Sequence, residues 1–336
     1  MSENAQQTAD GTPRRVLIAG GGVGALEAAV ALRAQAGDRV HLRIVAPQSA
    51  FTWRALEAVE PFAEERPRQY PIDDLAQELR ADVVHDEIVH VDMAASRARS
   101  RSHGEIDYDS LIVAIGARPR PVVEAAETFD RLSFPEVFDE VLDALRSRLA
   151  ESLLVVVPHG VVWSLPAYEL AMLSAAGTSA TVTLATHEPR PLTLFGASAS
   201  RAVEQALATA GVEVRCGVQT DVVSATAARI DGLWVTADRI VALPGFVGPG
   251  LSGIPADPEG FIVTDAEHRV PDADGRVFAI GDGAAGPLKH GGMAARAADR
   301  VATRIALEAG APIREDAGPP VLRGLLRTSE GPLFLA

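Results

Sequence analysis

Three short stretches of this chain carry residue types that could do chemistry together. Gly20, Gly22 and Ala25 form a Gly-x-Gly-x-x-Ala turn, Gly116 closes the apolar run Leu111-Ile112-Val113-Ala114-Ile115, and Gly281-Asp282 follows Val277-Phe278-Ala279-Ile280. Glycines at this spacing suit a pyrophosphate. Gly20 permits a tight turn, Gly22 lets the backbone approach the anion, and Ala25 stands where a third glycine would pack helix on strand. Val23 and Gly24 open the helix that follows, whose free N–H groups and positive dipole end hold phosphates. Asp282 brings a carboxylate that can accept hydrogen bonds from ligand hydroxyls. Lys289, the only lysine of the chain, and Gly291 precede a further helix. Positive charge there would meet negative charge building up on an electron-accepting ring.

These residues need particular elements to position them. The run from Arg15 to Ala19 reads as a strand, and an Ala/Leu-rich helix is predicted from about Val23 to Ala36. A strand ending at Gly281-Asp282 sets the carboxylate at the C-terminal edge of a parallel sheet, where ligands bind in such folds. A second Ala-rich helix is predicted from Met293 to about Ala309, with Gly310 placed to end it. A lone Gly-x-Gly-x-x-Ala turn is a weak signal and is also found in strand-turn-helix units without a ligand; strand before and helix after strengthen it. In this order the three pieces describe a domain that binds FAD, is interrupted by an insertion, and closes again on the flavin. Asp282 then meets the ribityl hydroxyls and Gly116 admits a close approach.

The chain resembles the two-dinucleotide-binding-domain flavoproteins of the pyridine nucleotide-disulfide oxidoreductase superfamily, in particular the branch of sulfide:quinone reductases and type II NADH dehydrogenases. The likeness runs over about residues 14 to 330. It is most local at Leu153-Leu154-Val155-Val156-Val157-Pro158 through Pro166-Ala167-Tyr168-Glu169 and at Pro287-Leu288-Lys289-His290-Gly291-Gly292. The resemblance implies an α/β fold of two Rossmann-like, doubly wound parallel-sheet domains, the second inserted in the first, each with a small antiparallel meander. The expected boundaries are 14–120 plus 240–312 for the FAD-binding domain, 121–239 for the inserted domain, and 313–336 for a short C-terminal tail. It also implies non-covalent FAD and two-electron flavin chemistry. Ile88, Ala114 and Arg118 complete the expected cofactor-binding residues. Arg54, after Phe51 and Trp53, is a candidate for the pyrophosphate or an ordinary surface arginine. Lys289 and His159 are the candidate catalytic residues, His159 being equally readable as a solvated loop histidine.

The sequence departs from that family at several points. The second domain's strand runs into Pro158-His159-Gly160-Val161-Val162-Trp163-Ser164-Leu165-Pro166 and has no Gly-x-Gly-x-x-Gly. Pro158 has no N–H to donate, and Trp163 and Leu165 add bulk where phosphate meets bare backbone, so NAD(P)H binding is doubtful. The cysteines of the sulfide-oxidising members are missing: aligned without gaps Trp163 stands in one of their places, and shifted by one, Ser164. Cys216, the single cysteine, reads as a small core residue. Ala46 stands where a carboxylate would bind the adenosine ribose, and Gln48 or Ser49 can substitute by hydrogen bonding. Glu169 matches the acidic residue on the first helix of the family's second domain, or only bonds nearby backbone.

Bulk properties narrow the partners. The 336 residues suffice for two domains, and 47% hydrophobic with 23% charged residues is a globular composition. A net charge of −14 argues against nucleic acid and against adhesion to an anionic membrane. One cysteine leaves no internal disulfide and no Cys-rich metal site, so no metal is expected, and it fits a reducing cytoplasm. Residues 1–13 lack the apolar core of a secretory signal. No apolar run reaches the roughly 18 residues of a spanning helix. The expectation is a cytoplasmic protein, peripheral to a membrane at most. Its partners are a small-molecule electron donor and acceptor, the acceptor a quinone or a similar compound. The sequence carries no signal for oligomeric state. The rival readings are a degenerate, non-catalytic flavoprotein serving as redox sensor or partner-binding module, and an NAD(P)H dehydrogenase with an atypical nucleotide site.

Overall fold

β1 (Arg14–Ala19) is apolar from Val16 onward, and those four residues are all buried. A strand apolar on both faces belongs inside a parallel sheet with helices on one side and further structure on the other. The computed structural model, which describes residues 12–52, 62, 68–129, 136–313 and 321–336, has that arrangement. β1 leads through a glycine turn to α1 (Val23–Ala36), β2 (Val40–Val45), β3 (Ala50–Thr52) and β4 (Gln69–Pro71). Then come α2 (Ile72–Glu78), β5 (Ala81–Val84), the strands β6 (Ile88–Asp92), β7 (Arg97–Ser100) and β8 (Gly104–Asp107), and β9 (Ser110–Val113).

Beyond β9 follow β10 (Arg118–Arg120), β11 (Glu127–Thr128), α3 (Glu136–Arg146), β12 (Ser152–Val157), α4 (Leu165–Gly177) and β13 (Thr181–Thr186). They are succeeded by α5 (Gly196–Thr209), β14 (Glu213–Arg215), β15 (Thr220–Ser224), β16 (Ala227–Ile230), β17 (Leu233–Thr236), β18 (Arg239–Ala242) and β19 (Gly245–Val247). The chain closes with β20 (Val277–Ala279), α6 (Gly291–Glu308), β21 (Gly324–Thr328) and β22 (Gly331–Leu335).

Contacts divide the described chain into two units, residues 12–52, 69–117 and 248–313 in the first, and 62, 68, 118–129, 136–247 and 321–336 in the second. The first unit holds a five-stranded parallel sheet in the order β20-β9-β1-β2-β5. Its alternation is clean. Val16, Ile18, Leu42, Ile44, Ile112 and Phe278 pack toward α1 and α6, whereas Leu17, Ala19, Val45, Leu111, Val113 and Val277 pack toward the antiparallel sheet β6-β7-β8. α6 ends as expected at Gly310, whose φ is +77° and whose N–H donates to the Leu307 carbonyl at 2.9 Å.

The second unit repeats the plan, with a parallel sheet in the order β11-β18-β12-β13-β14 and an antiparallel sheet β15-β16-β17. Asp231 and Gly232, at φ +49° and +80°, make the tight turn between β16 and β17. β18 differs from the sequence reading, which had the chain already returning to the first domain at Ile240. Its Ile240, Val241 and Ala242 are buried between β12 and β11, and the crossing comes after Val247. The C-terminal residues, read from sequence as a tail, form the hairpin β21–β22. Leu326 and Leu335 carry it into the core around α4. No helix among the described residues is long and apolar enough to cross a membrane.

Candidate functional site

In the first unit β1 lies at the middle of the sheet, with β2 on one side and β9 on the other. The chain therefore leaves β1 at the point where strand order reverses, which opens a crevice at the strands' C-terminal edge. Gly20 sits there at φ +122°, its N–H donating to the Val45 carbonyl at 2.8 Å. A Cβ on Gly20 would lie 2.2 Å from the Ala114 carbonyl oxygen, so only glycine fits. Gly22 is the opposite case. Its backbone is extended, it caps α1 with no side chain bonded to the helix's first turn, and a Cβ there would meet nothing within 4 Å. One glycine is required by close packing and the next borders open space. That is the cradle a pyrophosphate needs, so these residues fit the FAD that the motifs imply. Val23 and Gly24 begin α1, and Ala25 is fully buried beneath it.

The other first-unit residues gather at the same edge. Gly116 (φ +73°) has open space at its Cβ position, and its carbonyl oxygen would lie 2.8 Å from a Cβ on Gly283. Gly281 (φ +73°) and Asp282 form a short turn directly after β20. Gly291 opens α6 with its Cβ position 4.0 Å from Val23, so the two helix starts are neighbours. Gln48, two positions after Ala46, has its Oε1 3.4 Å from the Cβ position of Gly21. Ser49 instead accepts the Ile72 N–H through its carbonyl at 2.9 Å. Ala114 is buried beside Gly20. Ile88 is buried in the core with Leu17, Ala19 and Val45. Arg118 begins β10 in the second unit, paired with Val247. Arg54, with Trp53, lies outside the described residues.

Lys289 is half-buried. Its Nζ donates to the Ala284 carbonyl at 2.7 Å and stands 3.8 Å over the centroid of the Phe261 ring. Burial pushes its pKa below the usual lysine value, while Asp282, Asp257 and Glu259 pull it back up. Burial likewise lowers His290, opposed by Asp282. Sequence reasoning placed Lys289 at the cofactor but missed Phe261 and Ala284, because a ring 28 positions upstream of a lysine leaves no local pattern.

In the second unit the loop after β12 is filled from within. Gly160 takes φ +87°, the Val161 N–H donates to the Pro158 carbonyl at 3.2 Å, and Val161 is buried. The Trp163 ring meets Phe195 edge-on at 5.9 Å. Leu165, at the first turn of α4, is buried against the C-terminal hairpin: a Cβ on Gly324 would lie 3.1 Å from its Cδ1 and 2.6 Å from Phe195 Cζ. Ser164 occupies the N-cap position of α4 without a side-chain capping bond.

His159 is exposed, its ring centroid 5.4 Å from that of His187. Glu169 is buried on α4, where its Oε1 accepts the Arg327 N–H at 2.8 Å; burial pushes its carboxyl up to about 7, against Arg327. Tyr168 donates to Glu188 at 2.7 Å. The half-buried Cys216 thiol is pushed up by burial first, then by Glu188 and Glu204, the reverse of what a reactive thiolate needs. Among the described residues no three metal-binding side chains come together.

The family model for pyridine nucleotide-disulphide oxidoreductases matches residues 14–302. Comparison with curated protein sequences finds no match. Among solved structures, the sulfide:quinone oxidoreductase of the hyperthermophilic bacterium Aquifex aeolicus superposes with TM-score 0.77 at 19% identity, over 87% of this chain and 76% of that one. An NAD-dependent persulfide reductase from A. fulgidus gives TM-score 0.69 at 20% identity, over 94% of this chain and 62% of that one. The covalent putidaredoxin reductase–putidaredoxin complex gives TM-score 0.69 at 21% identity, over 96% and 80%. At such identities the structural likenesses establish the fold.

Proposed function

The chain belongs to the pyridine nucleotide-disulphide oxidoreductase family of FAD-dependent oxidoreductases, and from that premise we propose that it passes two electrons to a quinone or another small acceptor from a donor other than NADH or NADPH. The observation that carries the proposal is the contrast between the two units. The first keeps a glycine cradle with open space at Gly22. The second has Trp163 against Phe195 and Leu165 against Gly324 where a pyridine nucleotide's phosphates would need bare backbone. The likeness to a sulfide:quinone oxidoreductase supports a quinone as acceptor.

FAD, when bound, supplies the two-electron redox centre. The chain's residues bind and orient it. Gly20, Gly22, Val23, Gly24 and Ala25 would hold the pyrophosphate at the start of α1, Gln48 would serve the neighbouring sugar, Asp282 would take the ribityl hydroxyls, and Gly116 and Gly291 would allow close approach. Burial lowers the pKa of Lys289, and the charges of Asp282, Asp257 and Glu259 oppose that shift. A quinone that takes a hydride equivalent, two electrons with one proton, needs one further proton, and His159, exposed beside His187, is the side chain proposed to deliver it.

A second reading, a non-catalytic flavoprotein that senses redox state, is favoured by one observation: Trp163 and Ser164 are not thiols, and burial raises the pKa of the Cys216 thiol. The two separate in one experiment. The holoprotein is photoreduced without oxygen and mixed with a water-soluble quinone. Reoxidation much faster than that of free flavin, slowed in His159→Asn without loss of FAD, supports the enzyme; reoxidation no faster than free flavin supports the sensor.

A further inference from the structure

We infer that Lys289 is the bolt of the loop that carries Asp282 and that Phe261 is the residue that positions it, a role resting on the reading of that loop as part of the FAD site. The Gly281–Gly283 turn has two glycines in three residues, so its own backbone holds Asp282 loosely. What holds it is a second segment laid alongside. The Ile262 N–H donates to the Gly283 carbonyl at 2.9 Å, and the Ala285 N–H donates to the Ile262 carbonyl at 2.7 Å. Lys289 completes the lacing from beyond, its ammonium bonded to the Ala284 carbonyl and stacked on the Phe261 ring. One side chain thus ties both segments together.

The ring it stacks on is itself fixed. The Asp257 carboxylate accepts the Glu259 and Phe261 N–H groups at 3.0 and 2.9 Å. The Asp257 N–H donates to the Phe261 carbonyl at 2.8 Å, and the Gly260 N–H to the Asp257 carbonyl at 2.9 Å. Gly248 lies directly on this turn, a Cβ there falling 1.9 Å from the Gly260 carbonyl carbon. An ammonium over a desolvated aromatic face gains electrostatic attraction, and Asp282, Asp257 and Glu259 add theirs. The side chain is thereby committed to the loop. Its contribution to FAD is to keep Asp282 in register.

The test is the FAD dissociation constant of the apoprotein, measured by quenching of flavin fluorescence, with apoprotein thermal unfolding beside it. Lys289→Met and Phe261→Leu are each expected to weaken FAD binding about tenfold, a size set by one desolvated cation–ring contact. The double variant is expected to be little worse than either single one, because both remove the same tie. Lys289→Arg and Phe261→Tyr, which keep charge and ring, are expected to stay within about threefold of wild type. If Phe261→Leu fails to fold, Lys289→Met against Lys289→Arg carries the same comparison. Variants that bind FAD as wild type does, additive losses, or a shifted flavin potential at unchanged affinity in Lys289→Met would overturn the inference. Wild-type protein that takes up no FAD would instead defeat the underlying FAD assignment.

Discussion

Replacing Gly22 by alanine puts a methyl group into the space beside the first turn of α1 and disturbs little else. Gly22 has φ −87° and ψ −173°, a conformation alanine adopts freely, and no heavy atom lies within 4 Å of the new Cβ. Alanine is the poorer N-cap by about 0.5–1 kcal/mol, but it lowers the entropy of the unfolded chain by a similar amount, so the apoprotein's stability should barely move. Cofactor binding is another matter. A methyl that keeps the pyrophosphate from the helix's N–H groups removes at least one hydrogen bond to a charged group. That is about 1.5–3 kcal/mol, or roughly 10- to 150-fold in the FAD dissociation constant. Gly20→Ala is the control that behaves differently. Its Cβ would fall 2.2 Å from the Ala114 carbonyl oxygen at φ +122°, and strain plus overpacking of about 2–6 kcal/mol should lower the melting temperature of the apoprotein itself. The assay is paired: fluorescence titration with FAD, and thermal unfolding without it. If Gly22→Ala binds FAD as tightly as wild type, the pyrophosphate does not lie on this turn.

Glu169 gives a pH signature. Its folded-state pKa of about 7 lies above the ordinary 4.5, so the folded state holds the proton more tightly. Its contribution to stability is fully present below pH 4.5 and falls by about 3 kcal/mol as the pH rises to about 7; Glu169→Gln should remove that component from the pH dependence of thermal unfolding, and an unchanged slope would clear Glu169 of the effect. Gly324→Ala drives a Cβ to 2.6 Å from Phe195 and should cost about 1–3 kcal/mol of stability, read as a lower melting temperature. Cys216→Ala should leave quinone reduction intact, because burial and Glu188 raise the thiol's pKa; loss of turnover in a folded variant would point to thiol chemistry.

Much of the first unit was legible because its signals are local. The strand Val16–Ala19, the glycine turn and α1 follow one another within about twenty residues. What escaped depends on distant partners. β18 joins the second sheet because Ile240–Ala242 find β12, some ninety residues earlier in the chain. The boundary expected at residue 240 therefore falls inside this sheet. β21 and β22 are short strands whose register comes from Leu326 and Leu335 reaching the core around α4. Lys289 was recognisable by type, but the ring and carbonyl that hold it were not.

The measurement that decides most is the number of dinucleotides each chain binds. Equilibrium binding to the purified, folded protein, first with FAD and then with NADH and NADPH added to the FAD-saturated form, counts the sites directly. One FAD per chain and no saturable NADH or NADPH binding below the millimolar range is expected, because Gly22 opens the cradle of the first unit while Trp163, Leu165 and the C-terminal hairpin fill that of the second. A second dinucleotide bound at micromolar concentration, with the flavin reduced by it, would show that the filled loop opens and that a nicotinamide cofactor is the donor after all.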